Sequence, residues 1–142
     1  LRDGAAPVRN YLEKNVRVGL GVDVSPTYSM LDEIRAALPL HLGRGDLGFR
    51  ELFNAATSTG YRALGIGSGL IEIGETADIV LWRLSEPTPD PVTGVVAFAN
   101  VSEVYVMGRK IVEGGQLVGV PSSEIREFEK NVVRHRRKCL ST

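Results

Sequence analysis

Between Val16 and Val22 the chain reads VRVGLGV and then meets Asp23, and no other stretch constrains the fold as much. A nearly continuous apolar strand of this kind is covered on both faces, as in a parallel sheet flanked by helices, because a strand with one wet face alternates instead. Side chains at the carboxyl ends of such strands border the crevice where open α/β sheets and barrels bind ligands. Asp23 stands at that end. Gly19 and Gly21 weaken a strand unless a bulge or a close backbone approach needs them, so their place before the acid marks a crowded rim. A carboxylate there can bind a metal, accept a proton from water and return it to a leaving group. Aspartate after a strand is also ordinary turn chemistry, capping the next helix or bonding loop amides. The residues alone leave both readings open.

Helical patterns flank this run. Asp3-Gly4-Ala5-Ala6-Pro7 reads as a helix start, since an acid caps orphan amides and proline is tolerated in a first turn. Val8, Tyr11 and Leu12 follow at helical spacing, and Asn15 closes the helix. After Ser25 and Pro26, the residues Met30, Leu31, Ile34, Ala37 and Leu38 share one helical face, which Pro39 is expected to end or kink. Gly43 to Gly48 connects to a stripe of Phe49, Leu52, Phe53 and Ala56 that continues toward Leu64. Helix, strand, helix, helix is α/β grammar.

Beyond Gly67 the grammar changes. Ala77 to Leu84 is strand-like, Pro87 to Pro91 is a proline-rich loop, and Glu103 to Val120 reads as a meander of hairpins broken at Gly108-Arg109 and Gly114-Gly115. Ser122 or Ser123 can cap a last helix with Glu124 in its first turn and a stripe of Ile125, Phe128, Val132 and Val133.

The 142 residues, 43% of them hydrophobic, suit one ordinary domain or two small ones. Lys plus Arg and Asp plus Glu both total 17, so no overall field attracts nucleic acid or anionic lipid. A single cysteine, Cys139, cannot close an internal disulfide, which fits a reducing, cytoplasmic setting. No run reaches the roughly 18 apolar residues of a membrane span. His41 and His135 lie at neither paired ligand spacing nor a strand end. The basic run Arg134 to Lys138 could touch phosphates, but it reads more plainly as a solvated last turn at the negative end of a helix dipole, so nucleic acid is not an expected partner. Because Leu1 opens directly on helical text, the sequence is expected to be a piece of a longer one.

Five segments together resemble a known family. GAAPVRNYLEKNVRVGLGVD (Gly4 to Asp23), ATSTGYRALG (Ala56 to Gly65), GLIEIGETADIVLW (Gly69 to Trp82), DPVTGVVAFA (Asp90 to Ala99) and VYVMGRKIVEGGQLVGV (Val104 to Val120) follow one another. In that order they are similar to the metal-dependent amidohydrolase superfamily, in the branch of guanine and 8-oxoguanine deaminases, adenosine-type deaminases and chloro-s-triazine hydrolases. The loop Val24-Ser25-Pro26-Thr27-Tyr28-Ser29 is nearer the guanine deaminase type than the triazine type, and Glu75 stands where a lysine is usual.

The resemblance implies an α/β fold: the C-terminal fragment of a (β/α)8 barrel followed by part of a small β-sandwich. Residues 1–66 would be the last helix-strand-helix portion of the barrel, 67–121 the sandwich portion, and 122–142 a terminal helix and tail. It implies that Asp23 is both a metal ligand and the acid/base for hydrolysis of a C–N bond of a purine-like or triazine-like ring, a cyclic amidine such as a purine base. Ser25, Thr27 and Tyr28 become candidates for lining the substrate pocket. The metal would be zinc, in some members iron, and the histidines that hold it in the family have no match here. The chain by itself is therefore expected to be inactive, with Val16, Val18, Leu20, Leu31 and Ile34 exposed and Leu1 to Leu38 partly disordered or self-associated as a homo-oligomer. The competing reading is a non-catalytic truncated product that acts only as a structural or interaction module.

Overall fold

A computed structural model describes residues 6–23, 29–45 and 47–139. The first helix, α1 (Val8–Glu13), begins after Pro7 and stops where Asn15 enters the left-handed region at φ 56°, a conformation asparagine tolerates better than most residues. The second, α2 (Met30–Arg44), is capped by Ser29, whose side chain accepts from the Asp32 amide at 3.3 Å, and ends at Gly45 with φ 66°. It continues past Pro39 to Arg44, so of the two expected effects, an end or a kink, the end is corrected. Proline removes one backbone hydrogen bond, while Leu31, Ile34, Ala37 and Leu38 ahead of it are all held in the core and keep the helix in register.

The next stripe is divided between α3 (Phe49–Ala56) and α4 (Ser58–Leu64), because Thr57 leaves helical geometry at φ −128°, ψ −107°. Glu51 bonds back to the Gly48 amide at 3.1 Å and fixes the start of α3. The sheet is antiparallel in the order β1 (Ile79–Leu84), β2 (Ala99–Val106), β3 (Arg109–Glu113), β4 (Gln116–Leu117). Its two tight hairpins turn at Met107-Gly108, with φ of 51° and 76°, and at Gly114-Gly115, with φ of 57° and 78°. Two successive positive φ angles are what a two-residue hairpin loop demands. The first turn thus lies one residue before the expected Gly108-Arg109.

Between β1 and β2, where DPVTGVVAFA reads as part of a closing sheet, the chain instead forms α5 (Pro91–Phe98). Asp90 accepts from the Thr93 amide at 3.0 Å and from its hydroxyl at 2.5 Å, and Pro91 fills the first turn. The last helix, α6, spans Ser122–Cys139.

The core gathers Val8, Leu31, Ile34, Leu47, Leu52 and Val96, so α1, α2, α3 and α5 share it. Arg35 Nε donates to the Val96 carbonyl at 2.7 Å and ties α2 to α5. Leu31 and Ile34, expected to be exposed, are buried because α3 and α5 cover them. Val16 does stay exposed, while Val18 and Leu20 pack partly against the core.

Asp78 joins the helical layer to the sheet. It accepts from the Tyr61 hydroxyl on α4 and, at 2.6 Å, from the Met107 amide in the first hairpin turn. The Tyr61 bond, then the Met107 bond, holds the Asp78 carboxyl below the usual carboxylate range, and the same partnership pushes the Tyr61 phenol up to about 12. Asp90 is lowered as well, first by the Thr93 hydroxyl and then by its amide. A depressed carboxylate adds stability above its unfolded pKa of about 4 and loses it as pH falls through the lower folded value. A raised phenol adds stability below about 10 and loses it as pH climbs toward the folded value. Urea midpoints are therefore expected to fall below about pH 4 and again above about pH 10. Asp78→Asn should flatten both limbs, and midpoints unchanged by that substitution would count against the linkage.

Candidate functional site

The run Val16–Val22 pairs with no strand among the described residues, so the expected strand is not formed. A strand exists through its ladder of neighbours, and side-chain pattern alone supplies none. Other contacts hold the segment. The Val16 amide donates to the Tyr11 carbonyl at 2.8 Å and the Leu20 amide to the Ala55 carbonyl at 2.9 Å. Arg17 Nη1 donates to the Arg62 carbonyl at 3.0 Å, in the last turn of α4, where a cation suits the helix dipole.

Gly19 is explained by this seat. A methyl added there would touch Gly60 Cα at 3.4 Å, Ala55 O at 3.8 Å and Ala63 Cβ at 4.0 Å, whereas Gly21 faces open space. Gly60 is tighter still, since a Cβ on it would come within 2.7 Å of Ala55 O, the oxygen that receives the Leu20 amide. The glycines of two motifs some forty residues apart thus allow one backbone contact. Gly60 is a positioning residue that pattern reading passed over. Its signal was the glycine inside a helical stripe, where it costs helix stability unless packing needs it.

Asp23 ends the segment at φ 46° and is exposed. Ser25, Thr27 and Tyr28 lie outside the described residues. Among the described residues no three His, Cys, Asp or Glu side chains gather as a metal site, and Asp23 alone offers one donor where zinc takes three or four. The described residues do not by themselves fit a zinc ion. Glu75, at a turn where the sequence suggested no consequence, accepts from the Ser68 amide at 2.9 Å and closes the glycine-rich loop before β1.

The model of the amidohydrolase family matches residues 1–111. The chain belongs to the amidohydrolase family. It is 32% identical to the 5-methylthioadenosine/S-adenosylhomocysteine deaminase of Desulforudis audaxviator over 94% of its own length and 35% of that protein's. Its fold matches the zinc-bound crystal structure of an adenosine deaminase from Xanthomonas campestris at a TM-score of 0.82, with 24% identity, over 97% of this chain and 35% of the other. A zinc complex of atrazine chlorohydrolase from Arthrobacter aurescens matches at a TM-score of 0.72 with 28% identity, over 92% of this chain and 32% of the other. This amidohydrolase chain therefore spans about a third of the length of the relatives it matches. No described helix is long and apolar enough to cross a membrane.

Replacing Gly60 tests how the acid-bearing segment is held. A side chain gains up to about 1 kcal/mol of helix propensity over glycine, but one that must displace the Ala55 carbonyl costs about 1–3 kcal/mol, so the clash wins. Gly60→Val should lower the thermal midpoint and speed hydrogen exchange at the Leu20 amide. Protection equal to the parent's would show that the seat does not depend on this glycine.

Proposed function

We propose that this chain is the carboxy-terminal part of a zinc-dependent aminohydrolase that hydrolyses a C–N bond of a purine-like ring, with Asp23 as its acid/base. The observation that carries the reading is the long match to a deaminase, combined with a carboxylate at the end of a segment seated on α3 and α4. Asp23 would take the proton of the attacking water and hand it to the departing amine, a role that asks for a carboxylate within reach of both. Its exposure here fits one wall of a crevice whose other walls belong to polypeptide outside this chain. Ser25, Thr27 and Tyr28, which directly follow the acid, are proposed to line the pocket. The four-stranded sheet is proposed as part of a β-sandwich.

The metal would need ligands from outside this chain, so the 142 residues alone should neither retain zinc after dialysis nor release ammonia. A stoichiometric zinc ion on the isolated chain would contradict this. The decisive assay uses the complete reading frame loaded with zinc and follows ammonia release from 5′-methylthioadenosine, S-adenosylhomocysteine, guanine and 8-oxoguanine, and chloride release from a chloro-s-triazine. Turnover of an adenosine-type ring is the expected result. A zinc-loaded, folded enzyme that attacks only halogenated triazines would shift the substrate class, and one inert toward all of these rings would remove the proposal.

A further inference from the structure

The seat of the acid-bearing segment uses a carbonyl that two amides could claim. In an uninterrupted helix from Phe49 to Leu64, each amide would reach the carbonyl four residues back, so the Thr57 amide would take Phe53 and the Thr59 amide would take Ala55. The corner between α3 and α4 changes both bonds. The Thr57 amide turns to the Asn54 carbonyl at 3.1 Å, and the Ala55 carbonyl accepts the Leu20 amide at 2.9 Å. Merging the two helices would hand the Ala55 carbonyl to Thr59 and release Leu20, which stands three residues ahead of Asp23.

A side chain keeps the corner open. At the break the Phe53 carbonyl gives up the Thr57 amide, and the Thr57 hydroxyl donates to it instead, at 2.8 Å in a partly buried place. A carbonyl left there without a donor would be costly, and regaining the Thr57 amide would be the way to satisfy it. The hydroxyl removes that drive toward a continuous helix. Hydroxyls that bond back to the carbonyl four residues earlier bend helices in this way. Gly60 makes room for the segment, and Thr57 frees the acceptor that the segment needs.

We propose that Thr57 is a positioning residue for the reaction: its hydroxyl holds the α3–α4 corner open, reserves the Ala55 carbonyl for Leu20 and so fixes the segment that ends at Asp23. Thr57 acts through Asp23, and the inference rests on Asp23 being the acid/base of the function proposed above. Misplacing a reacting group by about 1 Å can cost about 10²-fold in rate.

The test is a cycle of substitutions in the complete zinc-loaded enzyme, read by ammonia release from 5′-methylthioadenosine and by hydrogen exchange at the Leu20 amide. Thr57→Val keeps the branched shape and removes the hydroxyl. It should lower kcat by about 10–10²-fold, with KM and zinc content near the parent's, and speed exchange at Leu20. Thr57→Ala should do the same, so a valine variant that fails to fold does not end the test. Thr57→Ser keeps the hydroxyl and should restore both readouts. In the Asp23→Asn background Thr57→Val should slow the reaction no further, since residues that act as one unit are not additive, whereas an independent defect of the scaffold would multiply the two losses. Parental kcat without the hydroxyl, unchanged exchange at Leu20, a serine variant as slow as the valine one, or multiplied losses in the double variant each overturn the proposal. A slow Asp23→Asn beside a parental Thr57→Val removes the role of Thr57 alone. A parental rate in Asp23→Asn removes the acid, and this inference with it.

Discussion

Asp23→Asn, made in the complete enzyme, is expected to slow ammonia release by about 10²–10⁴-fold, the usual range for losing a positioned proton-transfer group. Asparagine is the informative replacement for two reasons. It keeps the size of the side chain while removing the carboxylate, and it tolerates the left-handed φ of 46° that Asp23 adopts, which an alanine would resist. Because the substitution keeps the size of the side chain and the backbone conformation, thermal stability should stay close to the parent's. Retention of most of the parent rate at unchanged zinc content would remove Asp23 from the chemistry. A matched loss of rate and stability would place it in the scaffold instead.

Leu52→Ala and Ile34→Ala are expected to be the most damaging single changes to the fold, at about 2–5 kcal/mol each. Both side chains are 1% exposed and belong to different helices of one core. Whole-domain stabilities run to about 5–15 kcal/mol, so either change removes a large fraction and should lower the urea midpoint sharply without changing the slope. Ile73, which lies fully open to solvent, supplies the control, and Ile73→Ser should move stability by no more than about 0.5 kcal/mol. A Leu52→Ala cost below that of Ile73→Ser would mean that the shared core of α2, α3 and α5 does not hold the described residues together.

What the sequence made legible was what local chemistry decides. The halt at Asn15, the paired glycines at the second hairpin and the hairpin character of the segment after Glu103 all follow from neighbours within a few residues. α5 escaped because Val92, Thr93, Val95 and Val96 are β-branched and favour strands, although Asp90-Pro91 offered a helix start. Pro39 carries a sizeable local cost, yet α2 continues past it, held by the packing of Leu31 and Ile34 in a core that reaches residues as distant as Val96. The Val16–Val22 run shows the same boundary from the other side. Its apolar pattern asked for ladder partners, and a ladder is a long-range arrangement that no window of sequence contains. The candidate acid was readable as a residue at the end of that run. Its pocket was not, because pockets are built from side chains that sequence distance keeps apart.

The contact between Gly19 and the corner of α3 and α4 bears on how reproducibly the acid is placed. There the acid-bearing segment lies main chain against main chain, so no side-chain torsion intervenes to spread its position. Rotamer hopping elsewhere in the core then leaves the carboxylate's anchor where it was.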